Sequence, residues 1–195
     1  MIKAGAGLSQ NLSDHKKAGA EAASQAVDKL GGEKPNILFA FSSIKYQQEE
    51  VLKGIREVAP DATVVGGSAA GEITSWVTVF DGINVLAIAS DSVKFVTGVG
   101  AGVSADSFKA GAMAAEQVVK NADGKKPNLF IMLPDGMTGN GAAIVDGVKS
   151  VLGENAPIIG GSLGDDYFFK KTFEYHQDEV LTDVVVGIGL YGEFA

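Results

Sequence analysis

The chain has 195 residues and no cysteine, and its 16 basic and 24 acidic side chains leave a net charge of −8. That length suits one domain with a substantial core, and the absence of cysteine removes disulfides, thiol catalysis and thiolate-bound metals. The acidic balance argues against nucleic acid or an anionic membrane as partner, since both need a basic footprint on the protein. Residues 2–7 read as a short strand, and no apolar run follows that would make a signal peptide or a membrane span. The cytoplasm is the expected location. Ser13 or Asp14 is placed to cap a helix reaching about Leu30, whose apolar stripe is Ala22, Ala23, Ala26, Val27 and Leu30. Residues 37–41 form a continuous apolar run, as expected of a strand covered on both faces. A second helix spans 49–58 and ends at Pro60; a short strand, 63–65, stops at Gly66-Gly67-Ser68. Residues 83–89 and 93–99 read as two strands joined by a hairpin turn at Asp91-Ser92. Residues 77–80 read as an extra strand or as half of a hairpin with 83–89. The second half continues with a helix over 107–120, a buried strand at 129–133 and a helix over 142–152. Ile158-Ile159 leads into a second glycine pair, an extra strand or flap lies within 167–177, and a final strand covers 184–190.

The two halves are copies. Residues 17–27 recur at 109–119 with eight of eleven positions identical, an offset of 92. Lys34-Pro35-Asn36 recurs as Lys126-Pro127-Asn128, Gly66-Gly67-Ser68 as Gly160-Gly161-Ser162, and Gly5-Ala6-Gly7 as Gly100-Ala101-Gly102, always in the same order. The period is too long for a solenoid, whose repeats run to about 50 residues. The expected fold is therefore α/β: a single pseudo-symmetric domain over 1–195, built from repeats at about 1–92 and 93–195. Each repeat runs strand–helix–strand–helix–strand around a mixed, mostly parallel sheet.

In such sheets ligands collect at the carboxyl ends of strands, where glycine lets backbone N–H groups approach them. The candidate ligand-binding residues are Ser42, Tyr46, Gly67, Ser68, Glu72, Asp135, Gly161, Ser162, Asp165 and Asp166. Features shared by both copies read as architecture, and asymmetric residues are the better candidates for chemistry. Glu72 and Asp166 fall at aligned positions, and two carboxylates there suit an ammonium-bearing ligand. The plain alternative is that both cap turns. Asp165-Asp166 has the chemistry for a hard cation, but adjacent acids in an acidic chain more often close turns, and no metal is expected. Residues 135–141 lack the lysine of a phosphate loop, and Gly5-Ala6-Gly7 meets Gln10 where a dinucleotide fingerprint needs glycine. Gly160, Ser162 and Gly164 match Gly-x-Ser-x-Gly in form only, because no helix follows. No nucleophile–base pair assembles, so no enzyme activity is expected. His176 is the one candidate axial ligand for haem, although its polar surroundings read as a surface turn.

The motif order resembles the FIST domain, in particular its N-terminal region. The resemblance runs from Gly5–Ser9 and the alanine-rich helix through 65–73, 133–141, 159–166 and Leu181-Thr182-Asp183, nearly the whole chain. It implies an intracellular sensory module for signal transduction that binds a small ligand, such as an amino acid or a related metabolite. It also implies a C-terminal FIST region or a signalling output protein as partner; no cofactor is expected. The alternative it carries is a haem-based nitric oxide sensor.

Overall fold

The computed structural model describes residues 1–193. The first half runs β1 (Ile2–Ser9), α1 (His15–Asp28), β2 (Ile37–Ser43), α2 (Gln48–Val58) and β3 (Thr63–Ala69). A small hairpin of β4 (Glu72–Ile73) and β5 (Thr78–Val79) follows, and β6 (Ile83–Ser90) completes this half. The second half runs β7 (Val93–Ala101), α3 (Ser107–Asn121), β8 (Leu129–Pro134), α4 (Gly141–Leu152) and β9 (Ile158–Gly160). Its hairpin is β10 (Glu174–His176) with β11 (Glu179–Leu181), and β12 (Val184–Gly192) closes it.

The copied sequence makes copied local structure. Asp14 accepts a hydrogen bond from the Lys17 amide and starts α1; Asp106 does the same with Lys109 at α3. Such caps satisfy amides that the first helical turn leaves unpaired. The paired helices touch through glycine: a Cβ on Gly54 would lie 1.9 Å from the Lys16 carbonyl oxygen, and one on Gly147 2.0 Å from that of Phe108. Strand order also repeats. The first sheet carries β1-β6-β2-β3 and the second carries β7-β12-β8-β9, each strand in the place of its sequence copy.

Two faces of each sheet are used differently. Leu38, Ala40, Val64 and Val85 pack under α1 and α2. On the opposite face, Ile37, Phe39 and Val65 meet Leu133, Val186 and Ile188 of the second sheet. Phe130, Val118 and Val148 form the core beneath α3 and α4. The result is four layers, helix–sheet–sheet–helix, and this explains why 37–41 is apolar at every position: β2 is covered from both sides.

The structure narrows three expectations. Parallel pairing is confined to β2–β3 and β8–β9; β6 and β12 run antiparallel between their neighbours. A parallel return needs a crossover, and no helix precedes β6 or β12 to provide one. Asp91-Ser92 does not turn a hairpin. The Ser90 hydroxyl accepts from the amides of Ser92 and Val93, and the chain passes there from one sheet to the other. Thr78–Val79 pairs with Glu72–Ile73 rather than with β6, whose two edges are taken by β1 and β2.

The halves part company in their hairpins. β10 leaves its own half and pairs antiparallel with β3 of the other, placing Tyr175 opposite Gly66. β4–β5 stays a separate two-stranded unit.

Candidate functional site

The seam between the sheets opens into a crevice of about 570 Å³ at the carboxyl end of β2. Phe39, Phe41, Leu86, Ile88 and Ile131 form its apolar walls, and Glu72 and Asn84 supply polar side chains. Glu72 is 1% exposed. One carboxyl oxygen, Oε2, accepts the Gly82 amide at 3.1 Å; the other, Oε1, is buried without a partner. Burial pushes the Glu72 carboxyl up to about 8, with the nearby Asp166 charge adding to the effect. Asn84 donates to the Ile73 carbonyl at 2.8 Å, while its Oδ1 is likewise buried and unpartnered. Two unsatisfied buried acceptors beside one apolar crevice are uncommon, because each forgoes its hydrogen bond to water.

Around Glu72 the carboxyl ends of β2 and the 165–169 loop are tied together. Asp166 accepts from the Ser43 hydroxyl at 2.5 Å and from the Ile44 amide at 3.2 Å. Lys45 pairs with Asp81 at 2.7 Å. Asp166, Tyr167 and Phe169 all adopt positive φ, at 53°, 64° and 54°. Non-glycine residues hold that conformation only where the surroundings impose it. Asp165 imposes it here: its carboxylate accepts the amides of Phe169, Lys170 and Lys171. Burial works to raise the Asp165 pKa, and those backbone donors outweigh it and hold the group below the ordinary value.

The ten sequence candidates therefore separate. Glu72 lines the crevice, and Asp166 lies close enough to act on its charge. Ser42 is buried in a network with Gln48 Oε1 and the Tyr175 hydroxyl, both 2.9 Å away. Tyr46 is core, packed edge-on to His15. Ser68 joins the halves: its hydroxyl donates to the Gly164 carbonyl at 2.6 Å and accepts the Phe173 amide at 3.0 Å. Gly67 lies directly against the Phe173 carbonyl. Asp135 closes its own turn, accepting from Met137, Thr138 and the Asp183 amide. Asp165 is spent on the loop just described. Gly161 and Ser162 are exposed at the end of β9, in the second sheet.

Three polar residues escaped the sequence reasoning. Asn84 interrupts the apolar run 83–89, and that interruption was the available signal. Ser43 looked like a neighbour of Ser42 and no more. Glu174 sits in a stretch that reads as a polar turn, yet it is 0% exposed, with the Thr172 side chain beside its carboxyl. Burial pushes it up to about 8, with the Asp135 charge contributing. Glu72 and Glu174 are thus the same feature twice: each opens the first strand of its half's hairpin as a buried carboxyl. The local counterpart of Glu72 is Glu174, while Asp166, its partner by sequence offset, is its neighbour in space.

His176 does not fit an axial haem ligand in this geometry. Its Nε2 lies 3.0 Å from the Thr97 hydroxyl, burial lowers its pKa, and it lines none of the crevice described above.

Fold and crevice together define a duplicated four-layer α/β domain with an open polar-ended cleft at the seam. The chain belongs to the FIST family, a family of sensory domains: the model of the FIST N domain matches residues 36–195. No curated protein matches the chain in sequence. Among solved structures, cyanuric acid hydrolase from A. caulinodans is similar in fold, with a TM-score of 0.51 at 8% identity. That likeness covers 99% of this chain and 72% of the hydrolase chain. Among the described residues no helix is long and apolar enough to cross a membrane.

Proposed function

We propose that this domain senses a small ligand carrying an amine or amide on an apolar body, an amino acid or a related metabolite, and binds it without turning it over. The observation that carries this is the pair of buried, unpartnered acceptors, Glu72 Oε1 and Asn84 Oδ1, at the apolar crevice. Once Glu72 gives up its proton, ligand N–H groups would satisfy both, and Phe39, Phe41, Leu86 and Ile88 would cover the apolar part. Family membership in a sensory class supports the same reading.

A thermal-shift screen of amino acids and small amines tests it. A ligand at 100 times its Kd stabilises the fold by about 2.7 kcal/mol, a readily measured shift. The hit should disappear in Glu72→Ala. A hit that survives unchanged in both Glu72→Ala and Asp166→Ala would place the site elsewhere. Ester or amide hydrolysis by the purified chain, lost in Glu72→Ala, would replace the sensor reading with an enzymatic one.

A further inference from the structure

The pseudo-symmetric halves differ in one joint. In the first half, the free edge of β3 is covered by β10, the opening strand of a hairpin contributed by the other half. The Ser68 amide donates to the Phe173 carbonyl at 2.8 Å and the Gln177 amide to the Val64 carbonyl at 2.8 Å. In the second half, the copy of β3 is β9, and it is an uncovered edge of its sheet. The copy of the β10–β11 hairpin is β4–β5, and it joins no sheet.

Burial shows the joint made in one place and unmade in the other. Val65 on the covered strand and Tyr175 on the covering strand are both 0% exposed. Their counterparts are Ile159 on β9 and Ile73 on β4, at 53% and 74% exposed. Backbone space tells the same story. A Cβ on Gly67 would sit 2.0 Å from the Phe173 carbonyl oxygen, so glycine there makes room for the covering strand. Gly161 is the same residue in the copy, and no atom lies within 4 Å of its Cβ position. The space is kept and the strand is missing.

We infer that the β9 edge is a strand-docking site whose occupant is the β4–β5 hairpin of a second copy of this chain. Of the sheet edges among the described residues, β1, β11, β7 and β9, only β9 copies the strand that accepts a hairpin internally, and β4–β5 copies the hairpin it accepts. An uncovered edge with a row of unpaired backbone groups is the surface that accepts an added strand. The contact is head-to-tail, because donor and acceptor are different surfaces. The Ile73 carbonyl would exchange its present Asn84 amide for the backbone of β9.

Sedimentation or light scattering across a range of concentrations tests this. The wild-type chain should gain mass as concentration rises. Gly161→Val blocks the acceptor and Ile73→Lys blocks the donor, and both positions have space or exposure enough to leave the fold intact by circular dichroism. Each variant alone should stay a single chain. Mixed in equal amounts, they should form pairs and nothing larger, since one good donor and one good acceptor remain. A wild type that is a single chain at every concentration overturns the inference. So does an Ile73→Lys variant that still associates like the wild type, which would mean edge-to-edge pairing of β9 with itself.

Discussion

At the scale of single residues, buried polar groups separate those that hold the fold from those that wait for a partner. Ser68 holds the fold: its hydroxyl bonds both Gly164 and Phe173, so Ser68→Ala strands a carbonyl and an amide in the interior. The expected cost is about 1–3 kcal/mol in chemical denaturation, with ligand affinity unchanged. Glu72 and Glu174 behave otherwise. Each is raised from an ordinary value of 4.5 to about 8 in the folded chain. A carboxyl raised by folding binds its proton more tightly in the native than in the unfolded state. Its contribution to stability is therefore complete below about 4.5 and is lost as pH rises through about 8. Unfolding free energy should fall across that window, and Glu72→Gln with Glu174→Gln should flatten the fall. A profile that is level in the wild type would mean that neither group is held neutral. The same proton couples to the ligand: an ammonium compound needs Glu72 ionised, so its affinity should climb with pH and level off near 8. A neutral amide ligand should not show that climb.

At the scale of elements, the repeated glycines carry the architecture. Gly66 and Gly160 sit at φ 137° and 148°, and a Cβ on them would fall 1.9 and 2.0 Å from the carbonyl oxygens of Ala40 and Met132 on the adjacent parallel strand. Gly66→Ala should therefore cost more than 4 kcal/mol, at the extreme of single-substitution effects, and abolish soluble expression. Gly161→Ala, with open space at its Cβ, should leave stability within about 0.5 kcal/mol. Equal stability of the two variants would show that backbone contact at β3 does not matter. The helices were legible in the sequence because apolar periodicity and a cap at Ser13 or Asp14 are local, and α3 repeats the sequence of α1. The partners of β6, β7 and the hairpins were not. Strand identity is written in residue type, but strand pairing depends on which edge is still free, and β6 lies between β1 and β2 for reasons no local pattern records.

At the scale of the whole molecule, the two halves share one apolar seam. Ile37, Phe39, Val65, Leu133, Val186 and Ile188 all contribute to it, and among the described residues each sheet covers that face of the other. The halves should melt in one transition. Ile188→Ala should lower the stability of both together by about 2–5 kcal/mol, as buried isoleucine truncations do. Calorimetry that resolves two separate transitions would contradict a common core.

The sequence by itself determined that the chain is duplicated, that both copies are α/β and where the helices begin. Each of these follows from repeats, periodicity and caps, which act over a few residues. It also marked Glu72 and Asp166 as a pair of acids at related positions. Only the tertiary structure decided that they are neighbours and that Glu174 is the true counterpart of Glu72. Only there did Ser42, Ser68, Asp135 and Asp165 prove to be consumed by internal hydrogen bonds, and only there did an apolar crevice appear beside Asn84. The physical reason is that a side chain's hydrogen-bond partners are set by contacts across long stretches of chain. Ser68 meets Gly164, and Ser43 meets Asp166, over a separation of 96 and 123 residues.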